Sequence, residues 1–348
     1  MSDAAQNAAP AAPADVNDLF DLTIIGAGPV GLFGTFYSGM RGMKVKLIDS
    51  LAELGGQLAA LYPDKYIYDM AGFPKVVAKD LVRDLSAQAL QFAPTVCLEE
   101  KVMTLTKTDE GFALGTDKGV THRTKTVLIT AGVGAFAPKK LEKAEFARFE
   151  GHGLHYVIPK LEIFKGRRVL VVGGGDSAVD WALALNEIAS EVTLIHRRDS
   201  FRAHEDSVKK LHASTVRVML FHELEDITGE ASVNGAVVYD NRSKEKTTLA
   251  LDDVVVNFGF LANLGPIKTW GLNLEKISLV VNQQMETNIE GVMAAGDITT
   301  YPGKLKLIVT GVGEATMAVC TAKMRCDPKA SYFPGHSSGN AAFGEGGH

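Results

Sequence analysis

The sequence predicts an α/β protein with two parallel-sheet domains, one of which interrupts the other. Three observations support this fold class. The chain has 348 residues, enough for about two domains; it contains 35 glycines, and one strand–turn–helix–strand pattern occurs in it twice. Hydrophobic residues make up 46% and charged residues 22%, which is typical of a folded globular chain.

Charge and cysteine content exclude several classes of protein. Lys and Arg number 36 against 41 Asp and Glu, a net charge of −5, so we expect neither a nucleic-acid nor a membrane partner. Cys97, Cys320 and Cys326 are widely spaced and form neither a CxxC motif nor a zinc pattern. We therefore expect no metal site and a reducing compartment, the cytoplasm.

The repeated unit first occurs at residues 22–48. An apolar strand at 22–25 leads into a turn with Gly26, Gly28 and Gly31, and a helical segment then returns to a strand at 45–48. Such a turn needs a tight bend, then a residue without Cβ where a pyrophosphate approaches, and then a small residue where helix packs on strand. The free N–H groups of the helix N-terminus bind the anion.

The second copy has the same parts in the same order. Strands at 169–172 and 192–195 flank a turn with Gly173, Gly175 and Ala178. Two copies in full βαβ context are much stronger evidence for dinucleotide binding than one GxGxxG motif.

The residue after each second strand lies beside the adenosine ribose and indicates which nucleotide binds. Asp49, 23 residues after Gly26, accepts hydrogen bonds from a ribose 2′-OH and would repel a 2′-phosphate, so the first site favours FAD or NAD. At the same spacing in the second copy stands His196, followed by Arg197, Arg198 and Arg202. This cationic set favours the 2′-phosphate of NADPH.

Three later segments fit the same architecture. Residues 126–132 form a β-rich run that ends in small residues, as expected where the chain leaves the first domain. Residues 285–298 predict another strand, with Asp297 placed to bind a ribityl hydroxyl, and residues 311–324 predict a helix.

These motifs resemble the two-dinucleotide-binding flavoproteins of the thioredoxin reductase type. GAGPVG, TAG, GGGDSAVD, HRRDSFR and TNIEGVMAAGD stand in that family's order over residues 21–324. The family's redox CxxC is absent, because residues 151–166 contain no cysteine. Residues 54–74 and the extension FPGHSS at 333–338 instead resemble the branch of thioredoxin-reductase-like ferredoxin–NADP reductases.

The resemblance implies cofactors, partners and contact residues. It implies FAD and NADPH as cofactors, ferredoxin or flavodoxin as partner, and a homodimer. The FAD contacts it implies, beyond the three glycines, are Asp49, Gln57, Tyr62, Val102, Phe136, Asp297 and Ser338, with His336 stacked on the flavin. The NADPH contacts are Gly173, Gly175, Ser177, His196, Arg197, Arg198 and Arg202.

The expected organisation is two three-layer, Rossmann-like nucleotide-binding domains. The FAD domain comprises residues 18–133 and 290–338, the NADPH domain comprises 134–289, and residues 1–17 and 339–348 are expected to be a mobile leader and a disordered tail. The expected function is electron transfer between NADPH and ferredoxin or flavodoxin, with no catalytic side chain because the flavin performs the chemistry. Two alternatives are a disulfide or quinone reductase without the CxxC and a flavin-binding redox sensor.

Overall fold

A computed structural model describes residues 18–132, 134–158, 160–333 and 335. In this part of the chain, contacts define two compact units. Unit 1 contains the described residues of Met1–Ala60, Tyr66–Ala135 and Ala262–His348, and unit 2 contains those of Leu61–Lys65 and Phe136–Leu261. Unit 2 is thus inserted into the sequence of unit 1.

The first part of unit 1 contains eight strands and three α-helices. They are β1 Leu19–Ile25, α1 Pro29–Met40, β2 Val45–Ile48, α2 Gln57–Ala60, β3 Tyr66–Ile67, β4 Val76–Val77, α3 Ala78–Ala89, β5 Thr95–Cys97, β6 Val102–Thr108, β7 Gly111–Thr116 and β8 Thr121–Ile129. The chain then passes through β9, Ala135–Pro138, into unit 2.

Unit 2 contains eight strands and two α-helices. They are β10 Leu154–His155, β11 Arg168–Gly173, α4 Asp176–Asn186, β12 Glu191–His196, α5 Glu205–Ala213, β13 Arg217–Leu220, β14 His222–Thr228, β15 Gly235–Asp240, β16 Lys246–Ala250 and β17 Asp253–Asn257. Strand β18, Phe260–Asn263, pairs with β9 where the chain returns to unit 1.

The last part of unit 1 adds four short strands and a long helix. They are β19 Leu274–Glu275, β20 Ser278–Val280, β21 Val292–Ala294, β22 Thr299–Thr300 and α6 Ile308–Cys326. Short 3₁₀ segments occur at Leu90–Phe92, Ala144–Phe149, Leu161–Phe164 and Gly265–Thr269.

The sheet of unit 1 combines a parallel core with an antiparallel edge. Its strand order is β5-β2-β1-β8-β7-β6, and β21 also pairs with β8. Strands β5, β2, β1, β8 and β21 run parallel, whereas β8, β7 and β6 form an antiparallel meander. Helix α1 packs against α3 and α6. Because β1 and β2 are neighbours, the first glycine turn and Asp49 meet at the carboxyl edge of the sheet.

Unit 2 has three layers around one parallel sheet, β10-β17-β11-β12-β13. Successive side chains of β11 point to opposite faces, as the alternation of a strand requires. Val169 and Val171 belong to the core cluster that includes residues of α4, whereas Leu170 and Val172 pack with residues of the β14-β15-β16 sheet. The fold class predicted from the sequence is confirmed, with the strands at 22–25, 45–48, 169–172 and 192–195 and the helix at 311–324.

The ranges of the two units differ from the expected domains at three places. The first crossing lies at 135/136 rather than at 133/134. The second crossing lies at 261/262 rather than at 289/290, because residues 262–289 bond to unit 1: the Trp270 indole donates to the Met103 carbonyl at 3.1 Å, and β20 pairs with β22. Leu61–Lys65 belongs to unit 2, where Lys65 pairs with Asp180 at 2.7 Å. Within the described ranges, the helices are too short or too polar to span a membrane.

Candidate dinucleotide-binding sites

The first glycine turn contains two glycines that the backbone packing requires. Gly26 has φ +110°, and a Cβ there would lie 2.6 Å from the Thr130 carbonyl oxygen. A Cβ on Gly31 would lie 1.9 Å from the Gly26 carbonyl oxygen. Around Gly28, by contrast, a Cβ would meet no described atom within 4 Å. Gly28 therefore borders open space, as expected where a ligand backbone approaches.

Helix α1 begins directly at this open space. Gly28 is its N-cap and Pro29 its first helical residue, and among the described residues no side chain caps it and no acid occupies its first turn. The N–H groups of the first turn and the positive end of the helix dipole are thus directed at whatever lies beside Gly28. This arrangement suits an anion such as a pyrophosphate.

Asp49 lies beside the turn, one residue after β2. Its Oδ2 accepts the Ala27 N–H at 2.5 Å, and its Oδ1 accepts the Leu51 N–H at 2.8 Å. Burial raises the pKa of the Asp49 carboxyl, and these backbone donors oppose the rise. Each carboxylate oxygen has a further lone pair for a ribose hydroxyl.

Two neighbouring segments approach this edge through their backbones. The Gly55 N–H donates to the Ala27 carbonyl at 2.9 Å, and a Cβ on Gly56 would lie 2.9 Å from Gly28 Cα. Gln57, the next residue, therefore lies close to the turn. The Glu100 N–H donates to the Asp49 carbonyl at 2.9 Å, and Val102 follows two residues later, 5% exposed.

The structure also brings the segment of Asp297 to the first turn of α1. A Cβ on Gly296, which has φ +84°, would lie 3.2 Å from Val30 Cγ2. Burial raises the pKa of the Asp297 carboxyl, and Lys306 and Lys304 oppose this rise. The segments of seven residues expected to bind FAD therefore meet at one edge of unit 1. These residues are Gly26, Gly28, Gly31, Asp49, Gln57, Val102 and Asp297.

Four other residues expected to bind FAD belong to unit 2 or lie outside the described part of the structure. Tyr62 belongs to unit 2 and packs against the core cluster of that unit. The backbone of Phe136 lies in β9, but its side chain is outside the described part of the structure. His336 and Ser338 lie outside the described residues, as do 1–17 and 339–348.

The second glycine turn has the same close packing. A Cβ on Gly173 would lie 2.7 Å from the Asn257 carbonyl oxygen and 2.8 Å from Ala178 Cβ. Gly175 is the N-cap of α4, and among the described residues no side chain caps this helix either. Ser177 is exposed in its first turn. Unlike α1, α4 has an acid in its first turn, Asp176, whose Oδ1 accepts the His204 N–H at 2.8 Å. The N-terminus of α4 alone therefore suits an anion less well than that of α1.

The cationic loop, residues 197–202, is hydrogen-bonded directly to this turn. The Arg202 N–H donates to the Gly174 carbonyl at 2.7 Å, and Gly175 and Arg202 form a β-bridge. Burial lowers the pKa of the His196 imidazole, and the charges of Arg197, Arg198 and Arg202 lower it further, while the Ser200 carbonyl opposes them. The three arginines are exposed, and Arg202 lines an open cavity that it shares with the acids Asp176, Glu205 and Asp206. Their guanidinium groups are accessible to a phosphate.

One buried group contains metal-type ligand atoms, although the sequence predicts no metal site. The ligand atoms of Cys97, Glu100 and His122 lie within 4.8 Å of one another. His122 Nε2 is 2.8 Å from Glu100 Oε1, and His122 Nδ1 is 2.8 Å from Lys46 Nζ. Lys46 also lies over the Phe20 ring, 4.2 Å from its centroid. Lys46, His122 and Glu100 thus form a buried hydrogen-bonded chain on the unit 1 sheet, and Cys97 beside it is only partly buried.

The three cysteines are all free thiols. Cys320 is buried and lies 3.2 Å from an Arg41 guanidinium nitrogen, whereas Cys326 donates to the Asp21 carbonyl at 3.3 Å. Burial raises the pKa of the Cys97 and Cys326 thiols, which disfavours the reactive thiolate.

The geometry defines a class of protein: an α/β chain with a glycine turn and a helix N-terminus for a dinucleotide in each of two parallel-sheet units. The chain belongs to the pyridine nucleotide-disulphide oxidoreductase family, whose model matches residues 20–318. It is 59% identical over 325 residues to ferredoxin–NADP reductase 2 of Shouchella clausii, covering 92% of this chain and 98% of the relative. It is 55% identical to ferredoxin–NADP reductase of Halalkalibacterium halodurans, with 92% and 98% covered.

Solved structures support the same fold. Thioredoxin reductase of T. acidophilum matches with a TM-score of 0.77 and 25% identity, covering 88% of this chain and 98% of that one. Lactococcus lactis thioredoxin reductase also matches with a TM-score of 0.77, at 23% identity, covering 88% of this chain and 99% of that one. The second likeness shows the fold alone.

The residues fit the two cofactors that this family uses. In unit 1 the open space at Gly28, the uncapped α1 and the buried Asp49 suit an FAD pyrophosphate and its adenosine ribose. In unit 2 the uncapped α4 and three accessible arginines suit NADP(H) rather than NAD(H).

Two further residues bond to the backbone at the unit 1 site. Thr130 of the TAG motif donates through its hydroxyl to the Gly26 carbonyl at 2.8 Å, and Glu314, which lies outside every motif, accepts the Gly296 N–H at 2.8 Å. The paired Gly55 and Gly56 before Gln57 were a usable signal, because neighbouring glycines indicate a close backbone approach. Glu314 has no such signal, since it lies within an ordinary helix.

Proposed function

We propose that this chain is an FAD-dependent ferredoxin–NADP reductase that transfers electrons between NADPH and ferredoxin or flavodoxin. The observation that carries the proposal is the pair of different dinucleotide sites, one ending in Asp49 and the other in three arginines, in a chain whose cysteines form no redox pair. The relatives' names supply the electron acceptor.

FAD, when bound, supplies the conversion between two-electron hydride transfer and single-electron transfer. The chain's own residues bind and orient the two nucleotides. Gly26, Gly28, Gly31 and Asp49 hold the FAD dinucleotide, with Gln57, Val102 and Asp297 beside it. NADPH is held by the second glycine turn, through Gly173, Gly175 and Ser177, and by the set His196, Arg197, Arg198 and Arg202. Tyr62, Phe136, His336 and Ser338 stay proposed FAD contacts. No side chain is assigned an acid, base or nucleophilic role.

A steady-state assay with several acceptors tests the function. The FAD-loaded protein receives NADPH and, in parallel reactions, ferredoxin, flavodoxin, a quinone or a disulfide such as 5,5′-dithiobis(2-nitrobenzoate). We expect kcat/KM to be at least about tenfold higher for ferredoxin or flavodoxin than for the other acceptors. A preference for the disulfide or the quinone would overturn the assignment, and failure to reduce any acceptor would favour a sensor.

We also propose a homodimer. Tyr66, Tyr68 and Phe73 are 45%, 63% and 39% exposed, and they occur within one short stretch of unit 1. Exposed aromatic side chains grouped in this way are typical of an interaction surface. Sedimentation equilibrium should give twice the 37.2 kDa chain mass, and Tyr68→Ser with Phe73→Ser should shift the protein toward the monomer. A monomeric wild-type protein would contradict the proposal.

The cytoplasm is the proposed compartment. Three free cysteines fit a reducing environment, in which thiols persist.

A further inference from the structure

We propose that Glu314 is a positioning residue for FAD, whose buried carboxylate fixes the Gly296–Asp297 segment while Lys304 balances its charge. This inference rests on the proposed function, because it assumes that FAD binds at the edge of unit 1. It adds to that function a residue of α6 that lies outside every motif of the sequence.

The Glu314 carboxylate is fully engaged inside unit 1. The residue is 1% exposed, and its Oε2 accepts the Gly296 N–H at 2.8 Å. Its Oε1 accepts the Tyr301 hydroxyl at 2.5 Å and the Lys304 ammonium at 2.5 Å. The Lys304 side chain is only 4% exposed. Both charges of this ion pair are therefore shielded from water.

The Gly296 N–H needs a partner that the sheet does not provide. Ala295, the residue after β21, still donates to the Ile129 carbonyl at 3.0 Å, and the Gly296 N–H is the next donor along the chain. Gly296 adopts φ +84°, which directs the chain out of the strand. A buried N–H without an acceptor costs free energy, and Glu314 supplies that acceptor.

The segment held in this way borders the proposed FAD site. A Cβ on Gly296 would lie 3.2 Å from Val30 Cγ2, and one on Gly311 of α6 would lie 2.5 Å from the same atom. Val30 is the second residue of α1, whose N-terminus faces the open space at Gly28. The first turns of α1 and α6 and the end of β21 are thus packed together, and Asp297 extends from that junction.

Stability alone is a poor explanation for this ion pair. Replacing a buried ion pair with apolar residues is often neutral or stabilising, because both charges lose their hydration. What Glu314 contributes in particular is a hydrogen-bond acceptor for one backbone N–H at the site.

Lys304 and Glu314 also act on the Asp297 carboxyl in opposite directions: Lys304 lowers its pKa and Glu314 raises it. The pair as a whole therefore adds little net charge at Asp297.

Two charge-neutral double variants isolate the acceptor. Glu314→Gln with Lys304→Met removes both charges and keeps a carbonyl oxygen for the Gly296 N–H. Glu314→Leu with Lys304→Met removes both charges and the acceptor. Glu286→Leu with Arg325→Met is the control, because it also removes one charge of each sign from α6 and the segment before β21. It deletes the Arg325–Glu286 pair at 2.6 Å and, with it, the pairing of Arg325 with the exposed Glu290 at 2.8 Å. The readout is the FAD dissociation constant, measured by titrating FAD-free protein and following flavin fluorescence.

We expect the Gln/Met variant and the control to bind FAD within about threefold of wild type, and the Leu/Met variant to bind it about tenfold more weakly or worse. Equal FAD affinity of the Gln/Met and Leu/Met variants would overturn the inference. A wild-type protein that does not bind FAD would instead overturn the proposed function.

The single variants give a second measurement if the Leu/Met variant does not fold. Glu314→Gln leaves an unpaired positive charge, and Lys304→Met leaves an unpaired negative charge. We expect the flavin midpoint potential to shift to more positive values in the first and to more negative values in the second, because positive charge stabilises added electrons. Shifts of the same sign, or no shift in either variant, would contradict the inference.

Discussion

The imidazole of His196 lies so close to Gly174 that a Cβ on Gly174 would fall 2.1 Å from ring atoms Nδ1 and Cε1. The same ring stacks on Phe201, with centroids 5.4 Å apart. His196 is therefore fixed between the glycine turn and the cationic loop, and it fixes the start of the Arg197–Arg198 pair. This relationship joins two motifs that the sequence shows only as separate segments.

Removing both Arg197 and Arg198 should weaken the use of NADPH far more than the use of NADH. Each hydrogen bond to a charged group is worth about 1.5–3 kcal/mol, so we expect kcat/KM for NADPH to fall about 100-fold or more in Arg197→Ala with Arg198→Ala. The value for NADH, which has no 2′-phosphate, should change less than about threefold. Arg217→Ala is the control, because Arg217 is an exposed arginine of β13 in the same unit. Similar kcat/KM values for both nucleotides in the wild type would contradict the assignment.

Two glycines of the first turn should respond differently to alanine. Gly28→Ala should leave the free energy of unfolding of FAD-free protein nearly unchanged, because its φ is −70° and no described atom lies within 4 Å of the added Cβ. We expect it to weaken FAD binding about tenfold or more, since the methyl group occupies the space of the pyrophosphate.

Gly31→Ala should instead destabilise the fold by about 1–3 kcal/mol, because its Cβ would overlap the Gly26 carbonyl oxygen. Urea unfolding and FAD titration measure the two effects. Normal FAD affinity of Gly28→Ala would show that no ligand approaches this position.

The cysteines should be dispensable for electron transfer. In the triple variant Cys97→Ser, Cys320→Ala, Cys326→Ser, we expect the ferredoxin-reduction rate per bound FAD to stay within about twofold of wild type, because a thiol without a redox partner does not perform dithiol exchange. Loss of most activity in a triple variant that still folds and binds FAD would indicate a redox pair that forms in another conformation.

Acid should destabilise the protein partly through His122. Burial lowers the pKa of the His122 imidazole, and Lys46 lowers it further, while the hydrogen bond to Glu100 opposes the shift. Unfolded His122 binds its proton near pH 6.5, whereas the folded protein holds the ring neutral to lower pH. The unfolded state therefore takes up more protons, and this contribution to stability, present above pH 6.5, is lost as the pH falls through the folded pKa.

His122→Gln removes that titration and keeps a group that bonds to both Lys46 and Glu100. We expect the free energy of unfolding of the FAD-loaded variant to fall less steeply between pH 7 and pH 5 than that of wild type. Replacing the exposed His204 with Gln is the control. Parallel slopes for wild type and His122→Gln would contradict the expected role of the buried ring.

The sequence predicts the parts of the fold that depend on local spacing. The two glycine turns, their flanking strands and Asp49 follow from the βαβ pattern, because the geometry of a strand–turn–helix connection is set within about 30 residues. The second domain crossing and the place of Leu61–Lys65 do not follow, since they depend on contacts between distant segments such as Trp270 with Met103 and Lys65 with Asp180. Glu314 is missed for the same reason, because its partner Gly296 lies on another element.

Anaerobic stopped-flow spectroscopy of the FAD-loaded protein tests the central claim most directly. The protein is first mixed with NADPH while flavin absorbance is followed, and oxidised ferredoxin is then added. We predict rapid bleaching of the flavin by NADPH, followed by its reoxidation as ferredoxin becomes reduced. Slow bleaching would indicate a sensor, and a reduced flavin that stays reduced with ferredoxin but is reoxidised by a disulfide would contradict the proposed function.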